Sequence, residues 1–208
     1  MRGLLSPLAR RRRRSERGAV LVEVVLILPV LLVITLGVFD VGLGWRTSLT
    51  ITNAARSGAR VGSNLGQDSS ADQSALAAVS ASLGTIPSSE IDVVVIYKAT
   101  SAAGTVPSGC LDSTTRTAGG SAALSCNVYS AADLAAAATS TAYNGNCSTS
   151  RDRFWCPSTR QNQQASANGP DFLGVYVRIN HATKTKLFGS TMVMKDQAVM
   201  RIEPNAGD

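Results

Sequence analysis

Residues 19–39 form a run of 21 residues that contains one charged side chain, that of Glu23. As an α-helix this run is about 31 Å long, which is enough to cross the hydrocarbon core of a bilayer. Helical patterning continues beyond it and stops at the helix-terminating Gly62 and the polar residues that follow. We therefore predict a transmembrane helix over residues 19–39 and its continuation outside the bilayer over residues 40–62.

The charge of the chain is concentrated in front of this run. Residues 1–17 hold seven arginines and one glutamate, which accounts for the whole net charge of +6. The positive-inside rule then predicts that residues 1–18 are a basic cytoplasmic leader, and that residues 63–208 form a domain on the outer side of the cytoplasmic membrane. Residues 18–208 are neutral overall and offer no basic face to a nucleic acid. A cleaved secretory signal peptide is the alternative, but residues 37–40 lack its small-x-small cleavage pattern.

The outer part is predicted to be a small α+β domain. Strands are expected over residues 91–97, 173–181 and 191–203, where β-branched and apolar residues cluster between turn signals. A capping box of Ser70 and Gln73 predicts a short helix before the first strand. Residues 98–170, rich in Ala, Ser, Thr and Gly, are expected to be a loop-rich insertion with one possible helix over residues 131–142. The expected fold is a long N-terminal helix packed on a small antiparallel sheet.

All four cysteines lie in this insertion, at Cys110, Cys126, Cys147 and Cys156. An even number outside the cytosol favours two disulfides. Three pairings are possible, and sequence order favours Cys110–Cys126 with Cys147–Cys156 because each closes a short loop. A structural zinc site is disfavoured, since no two cysteines have the spacing that such sites use.

Catalytic patterns are largely missing from the sequence. His181 is the only histidine, and it ends a predicted strand without a nucleophile motif elsewhere in the chain. No glycine-rich phosphate-binding loop and no calcium-binding loop is present. We therefore expect a protein that is not an enzyme and that has no catalytic residue, no metal, no cofactor and no small-molecule substrate.

Glu23 is the informative residue of the apolar run. An ionisable group inside a membrane helix is unfavourable by about 3 kcal/mol on insertion scales. It could simply extend towards the head groups near the start of the helix. Alternatively, it pairs with a cation in the same layer, and cleavage between Gly18 and Ala19 would create one, the new α-ammonium group. Between neighbouring subunits these two charges could pair in a medium of low dielectric constant.

Several segments resemble known pilus proteins. Residues 17–23, RGAVLVE, are similar to a type IV prepilin signal, with glycine before the cut and glutamate at the fifth mature position. The segments PVLL at 29–32, GVFD at 37–40, NAARSGAR at 53–60 and AVMRIEP at 198–204 resemble the TadE-like family. Val24 stands where the short major pilins of these systems have tyrosine, and the chain is far longer than they are.

The resemblance implies a minor pilin or pseudopilin of a Tad/Flp pilus system with a type IV pilin-like fold. It also implies a leader removed at Gly18–Ala19 by a prepilin peptidase. The implied partners are the lipid bilayer, other pilus subunits and the membrane assembly platform. The alternative function is a signal-anchored envelope domain that binds a ligand or surface and never enters a filament.

A face of small residues marks the outer half of the helix, formed by Ala54, Ser57, Gly58 and Val61. Small faces allow close approach of another helix. This face could pack against a neighbouring subunit or against the chain's own domain, and the sequence leaves both open. Arg56 and Arg60, four residues apart on this helix, are expected to meet lipid head groups or acidic partners.

Overall fold

The computed structural model describes residues 16–137, 143, 146–164, 169–186 and 189–204. Its first element is a single helix, α1, Glu16–Leu65, about 75 Å long. Pro29 lies within α1 without ending it. The helix stops at Gly66, whose positive φ of 53° is a left-handed conformation that glycine adopts without a steric penalty. The predicted long N-terminal helix is confirmed, and it extends three residues beyond the expected end.

The remaining elements form a five-stranded antiparallel sheet with short helices. The strands follow the order β2-β3-β1-β4-β5 across the sheet. The further α-helices are α2 Ala71–Ser82, α3 Ser113–Ala118 and α4 Ala131–Ala136. The strands are β1 Ile91–Ala99, β2 Gly120–Ser121, β3 Cys126–Tyr129, β4 Phe172–Ala182 and β5 Thr191–Arg201. Short 3-10 helices cover Ser88–Glu90, Ser108–Leu111, Arg153–Trp155 and Pro157–Thr159.

Both faces of the sheet are covered. On one face the outer half of α1 packs over β4 and β5, and α2 packs beside α1, with Ile51, Leu76 and Val175 in the shared core. On the other face the insertion covers β1 through a second cluster that includes Val95 and Cys110. Residues 93–97 of β1 are therefore all buried, in contrast to the alternating pattern of a strand with one solvated face.

The insertion differs most from the sequence prediction. Three strands were expected, but the insertion contributes β2 and β3, and β3 pairs with β1. The predicted capping box at Ser70 is wrong, because its backbone N–H and its hydroxyl both donate to Asp68 Oδ1 at 2.7 Å. A complete capping box instead starts α4, formed by Ser130 and Asp133. The predicted helix at 131–142 is found as α4, while residues 138–142 lie outside the described residues.

Candidate functional site: the long helix and its junction with the sheet

The first half of α1 is apolar and exposed around its whole circumference. Every residue from 18 to 36 is exposed, and no residue of the most apolar window, of mean hydropathy 2.9, is buried within the chain. Such a surface is expected on a helix that is surrounded by lipid or by other helices. By length and composition, α1 is a candidate membrane span.

The residues proposed for processing and pairing lie on this exposed half. Gly18 and Ala19 are at its start, and Glu23 follows one turn later. Among the described residues, none forms a hydrogen bond or an ion pair with the Glu23 carboxylate. Within the part of the chain that the structure describes, the Glu23 side chain is exposed.

Contact with the domain begins where the apolar run ends. Asp40 is only 6% exposed, and its carboxylate accepts hydrogen bonds from the backbone N–H of Thr185, at 3.4 Å, and from the Thr185 hydroxyl. Four residues further along α1, Gly44 lies against the Met194 side chain of β5. The loop between β4 and β5 is thus held beside the last residues of the apolar run.

The small face of α1 packs inside the chain. Ala54 and Gly58 are buried, while Ser57 and Val61 are partly buried. A Cβ added at Gly58 would lie 2.5 Å from Val79 Cγ2 of α2 and 3.4 Å from Val175 Cγ1 of β4. The small side chains therefore allow α1 to approach both α2 and the sheet, and Ala54 and Gly58 are not available to a second helix.

Arg56 and Arg60 are exposed on the opposite side of this part of α1. Arg56 lies 17 residues beyond Phe39, which corresponds to about 25 Å along the helix axis. That distance is larger than the thickness of a head-group layer, about 5–8 Å. The expectation that these arginines meet lipid head groups or acidic partners stays a prediction, and a bilayer surface near Phe39 would favour the acidic partners.

A buried ion pair connects α2 to the insertion. Arg160 Nη2 lies 2.5 Å from Asp72 Oδ1, and both side chains are completely buried. Asn127 Nδ2 and the Tyr129 hydroxyl donate to Asp72 Oδ2 at 2.9 and 2.8 Å. The Arg160 guanidinium also stacks 4.2 Å from the centre of the Trp155 ring. This network holds the insertion, β3 and α2 in one arrangement.

Burial and ion pairing shift the pKa values of several side chains near the sheet. Burial raises the pKa of Tyr129 well above its usual value, and the neighbouring Asp72 charge raises it further. Burial also raises the pKa of Asp152. For Asp92 burial acts in the same direction, but hydrogen bonds from Arg116 and Arg178 outweigh it and lower the pKa. Arg116 belongs to α3, so its ion pair with Asp92 attaches the insertion to β1.

Two disulfides strengthen the insertion. Cys110 is bonded to Cys126 and Cys147 to Cys156, which is the pairing that sequence order favoured. Cys126 is part of β3, so the first bridge fastens the covering turn of residues 108–111 to the sheet. Each bridge can stabilise the fold by about 3 kcal/mol through restriction of the unfolded chain.

His181 lies at the end of β4, with its Nδ1 atom 2.8 Å from Glu90 Oε2. Within the described residues, no group of three His, Cys, Asp or Glu side chains is arranged to hold a metal ion. A second charged group lies in a cleft beside β1, where Asp92 and Arg116 already pair with each other at 2.6 Å.

Comparison with known protein families gives a match, which lies in α1. Residues 18–60 match the family model described as TadE-like protein. The resemblance predicted from the sequence is confirmed over this segment. No curated protein and no solved structure matches the chain.

The TadE-like segment, residues 18–60, coincides with a structural unit of the molecule. It begins at the exposed apolar half of α1, includes Asp40 at the junction and reaches Ala54 and Gly58 on the packed face. The match suggests a component associated with Tad pili that is anchored by an apolar N-terminal helix. The sheet and the disulfide-bearing insertion lie outside it.

The buried Asp72–Arg160 pair was not foreseen from the sequence. Asp72 follows a helix-start signal, where acidic residues are common, and Arg160 lies 88 positions away in a stretch without regular pattern. Tyr129 and Asn127 belong to a strand of only four residues. No local signal connects these positions.

Proposed function

We propose that this protein is a minor pilin or pseudopilin of a Tad/Flp-type pilus. Its α1 helix inserts in the cytoplasmic membrane, its leader is removed at Gly18–Ala19 by a prepilin peptidase, and its sheet domain faces outward. The observation that carries the proposal is the division of α1 into an exposed apolar half and a half packed on the sheet. The TadE-like match over residues 18–60 supports it.

Glu23 has a specific role in this proposal. After leader removal, Ala19 carries an α-ammonium group one helical turn from the Glu23 carboxylate. Pairing between the α-ammonium of one subunit and Glu23 of its neighbour would compensate both charges where the dielectric constant is low. The exposed apolar half of α1 gives such neighbours a continuous surface for side-by-side packing.

The domain suits a minor subunit that primes, modifies or caps a filament. Its sheet is covered on both faces, and its insertion is held by two disulfides and a buried ion pair. A rigid domain of this kind can be presented at the surface while α1 contacts other pilus subunits and the membrane assembly platform.

The test compares Glu23→Leu with Glu23→Gln, and uses Thr35→Leu as a control. Thr35 lies on the same exposed half of α1, and its hydroxyl bonds to the backbone oxygen of Leu31 within the helix. Insertion, leader removal and co-purification with other pilus subunits are scored for each variant. We expect all three variants to be inserted and cleaved.

We expect both Glu23 variants to lose co-purification, because a buried charge stripped of its partner is unfavourable by about 3–5 kcal/mol. Gln should retain slightly more association through a neutral hydrogen bond, and Thr35→Leu should behave as the unmodified chain. Unchanged co-purification of both Glu23 variants would contradict the assembly role. A wild-type protein that keeps its leader would instead favour the signal-anchored envelope domain.

A further inference from the structure

A cleft beside α1 lies at the level where the helix is expected to leave the membrane. The Asp40–Thr185 contact holds the β4–β5 loop next to the last turn of the apolar run. Lys184 precedes Thr185 and is exposed. The cleft, which we call the membrane-edge cleft, is lined by Arg46, Thr47, Thr85, Glu90, His181 and Lys184.

Arg46 is placed to face the membrane surface. It lies seven residues beyond Phe39, or about 10 Å along the helix axis. Helical side chains point back towards the N-terminus, which here is the direction of the membrane. A long arginine side chain therefore reaches the head-group layer from this position.

The charges of the cleft favour an anion. Among the described residues, no carboxylate lies within ion-pair distance of Arg46 or Lys184. The acidic residue of the cleft, Glu90, is paired with His181 at 2.8 Å. The hydroxyls of Thr47 and Thr85 add neutral hydrogen-bond donors to the same lining. Two cations and two hydroxyls thus line one cleft at the level where a phosphate would be found at a bilayer surface.

We propose that the membrane-edge cleft binds the phosphate of an anionic phospholipid head group in the leaflet next to the domain. This contact would set the height and rotation of the sheet domain over the bilayer. The inference rests on the membrane insertion of α1 that the proposed function includes, but it does not require leader removal or filament assembly.

The test is native mass spectrometry of the full chain in detergent, titrated with phosphatidylglycerol or with phosphatidylcholine. The cleft variant is Arg46→Gln/Lys184→Gln. The matched control is Arg56→Gln/Arg60→Gln, which removes the same charge from exposed positions about 15 Å further along α1. All four side chains are exposed, so both variants should fold.

We expect the unmodified chain to retain phosphatidylglycerol in preference to phosphatidylcholine. Each basic residue near an anionic surface contributes about a fivefold factor, so the cleft variant should bind phosphatidylglycerol about 30-fold more weakly. The control should change by less than about twofold. Equal affinity of the two variants would overturn the proposal. Displacement of the lipid by millimolar inorganic phosphate would also overturn it, in favour of a site for free phosphate.

These results separate the cleft from pilus assembly. An unmodified chain that shows no preference for phosphatidylglycerol, but has normal leader removal and co-purification, would contradict the cleft alone. A retained lipid preference in a chain that keeps its leader would contradict the proposed function alone.

Discussion

Asp72 and Arg160 show how a loop-rich insertion becomes part of a rigid domain. Arg160 donates to Asp72 and to the backbone oxygen of Trp155, while its guanidinium covers the Trp155 ring. Asn127 joins the same network through Trp155. The Asn127 side-chain amide donates to the Trp155 backbone oxygen, and the Trp155 backbone N–H donates to Asn127 Oδ1. These additional partners offset part of the cost of desolvating the two charges, while Nε and Nη1 of Arg160 are buried without a hydrogen-bond partner among the described residues.

We predict that Arg160→Leu lowers the free energy of unfolding by about 3–5 kcal/mol, since it leaves the Asp72 carboxylate buried without its cation. The control is Lys98→Leu, which removes an ion pair with Asp171 at 2.7 Å in which the lysine is 47% exposed. That change should have an effect of about 1 kcal/mol or less.

Urea unfolding of the full chain in detergent, followed by near-ultraviolet circular dichroism, measures both effects. The double change Asp72→Leu/Arg160→Leu should recover part of the loss, because no lone charge is then buried. Similar losses for Arg160→Leu and Lys98→Leu would contradict the importance of the buried pair.

At the scale of elements, α1 performs two tasks along one continuous helix. Its first half presents apolar side chains outward, and its second half uses small residues to approach α2 and β4. The two halves meet near Asp40, which accepts a hydrogen bond from Thr185 of the β4–β5 loop. Replacement of glycine by alanine should therefore affect stability differently in the two halves of α1.

We predict that Gly58→Ala lowers the free energy of unfolding by about 1–3 kcal/mol, because the new Cβ would lie 2.5 Å from Val79 Cγ2 and the packing must shift. Gly42→Ala is the matched control, since nothing lies within 4 Å of its new Cβ. It should leave stability unchanged or raise it by up to about 1 kcal/mol through helix propensity. The same urea experiment measures both variants, and equal stability would contradict the packing described for Gly58.

The cysteines of the insertion lead to a prediction about redox state. Cys110, Cys126, Cys147 and Cys156 should resist alkylation in native membranes until a reductant is added, as both bridges are expected on an oxidising side of the membrane. Mass tagging of thiols before and after reduction provides the measurement. Four free thiols under non-reducing conditions would argue against the bridges and against an outward-facing domain.

The elements that could be predicted from sequence are those with a strong local pattern. The apolar run predicted α1, and the β-branched segments predicted β1, β4 and β5 close to their observed bounds. The strand β3 has only four residues and depends on pairing with β1, so periodicity does not reveal it. Continuous burial of residues 93–97 likewise arises from the insertion, a contact between distant parts of the chain.

The candidate site also has a part that a local sequence pattern predicts and a part that depends on contacts between distant residues. Gly18, Ala19 and Glu23 could be proposed from a local motif, because a basic leader, a small residue and a charge in an apolar run are adjacent in sequence. The membrane-edge cleft could not be proposed in this way, since Arg46 and Lys184 are 138 positions apart and share a cleft only in the folded chain. The role of the small face was left open by sequence, and the structure places Ala54 and Gly58 inside the domain.

At the scale of the whole molecule, a domain whose sheet is covered on both faces is attached to the outer half of a helix about 75 Å long. The exposed apolar half is unfavourable in water and requires lipid or neighbouring helices. In the proposed function, lipid surrounds this half of α1 before assembly and other subunits surround it afterwards. Leader removal connects the two states, because it creates the charge that Glu23 would pair with.

The intact mass of the protein isolated from its native membrane tests this account most directly. The account predicts a chain that begins at Ala19, and a full-length chain when Gly18 is replaced by a bulky residue such as leucine. A native chain that retains Met1 would contradict leader removal and, with it, the pairing proposed for Glu23.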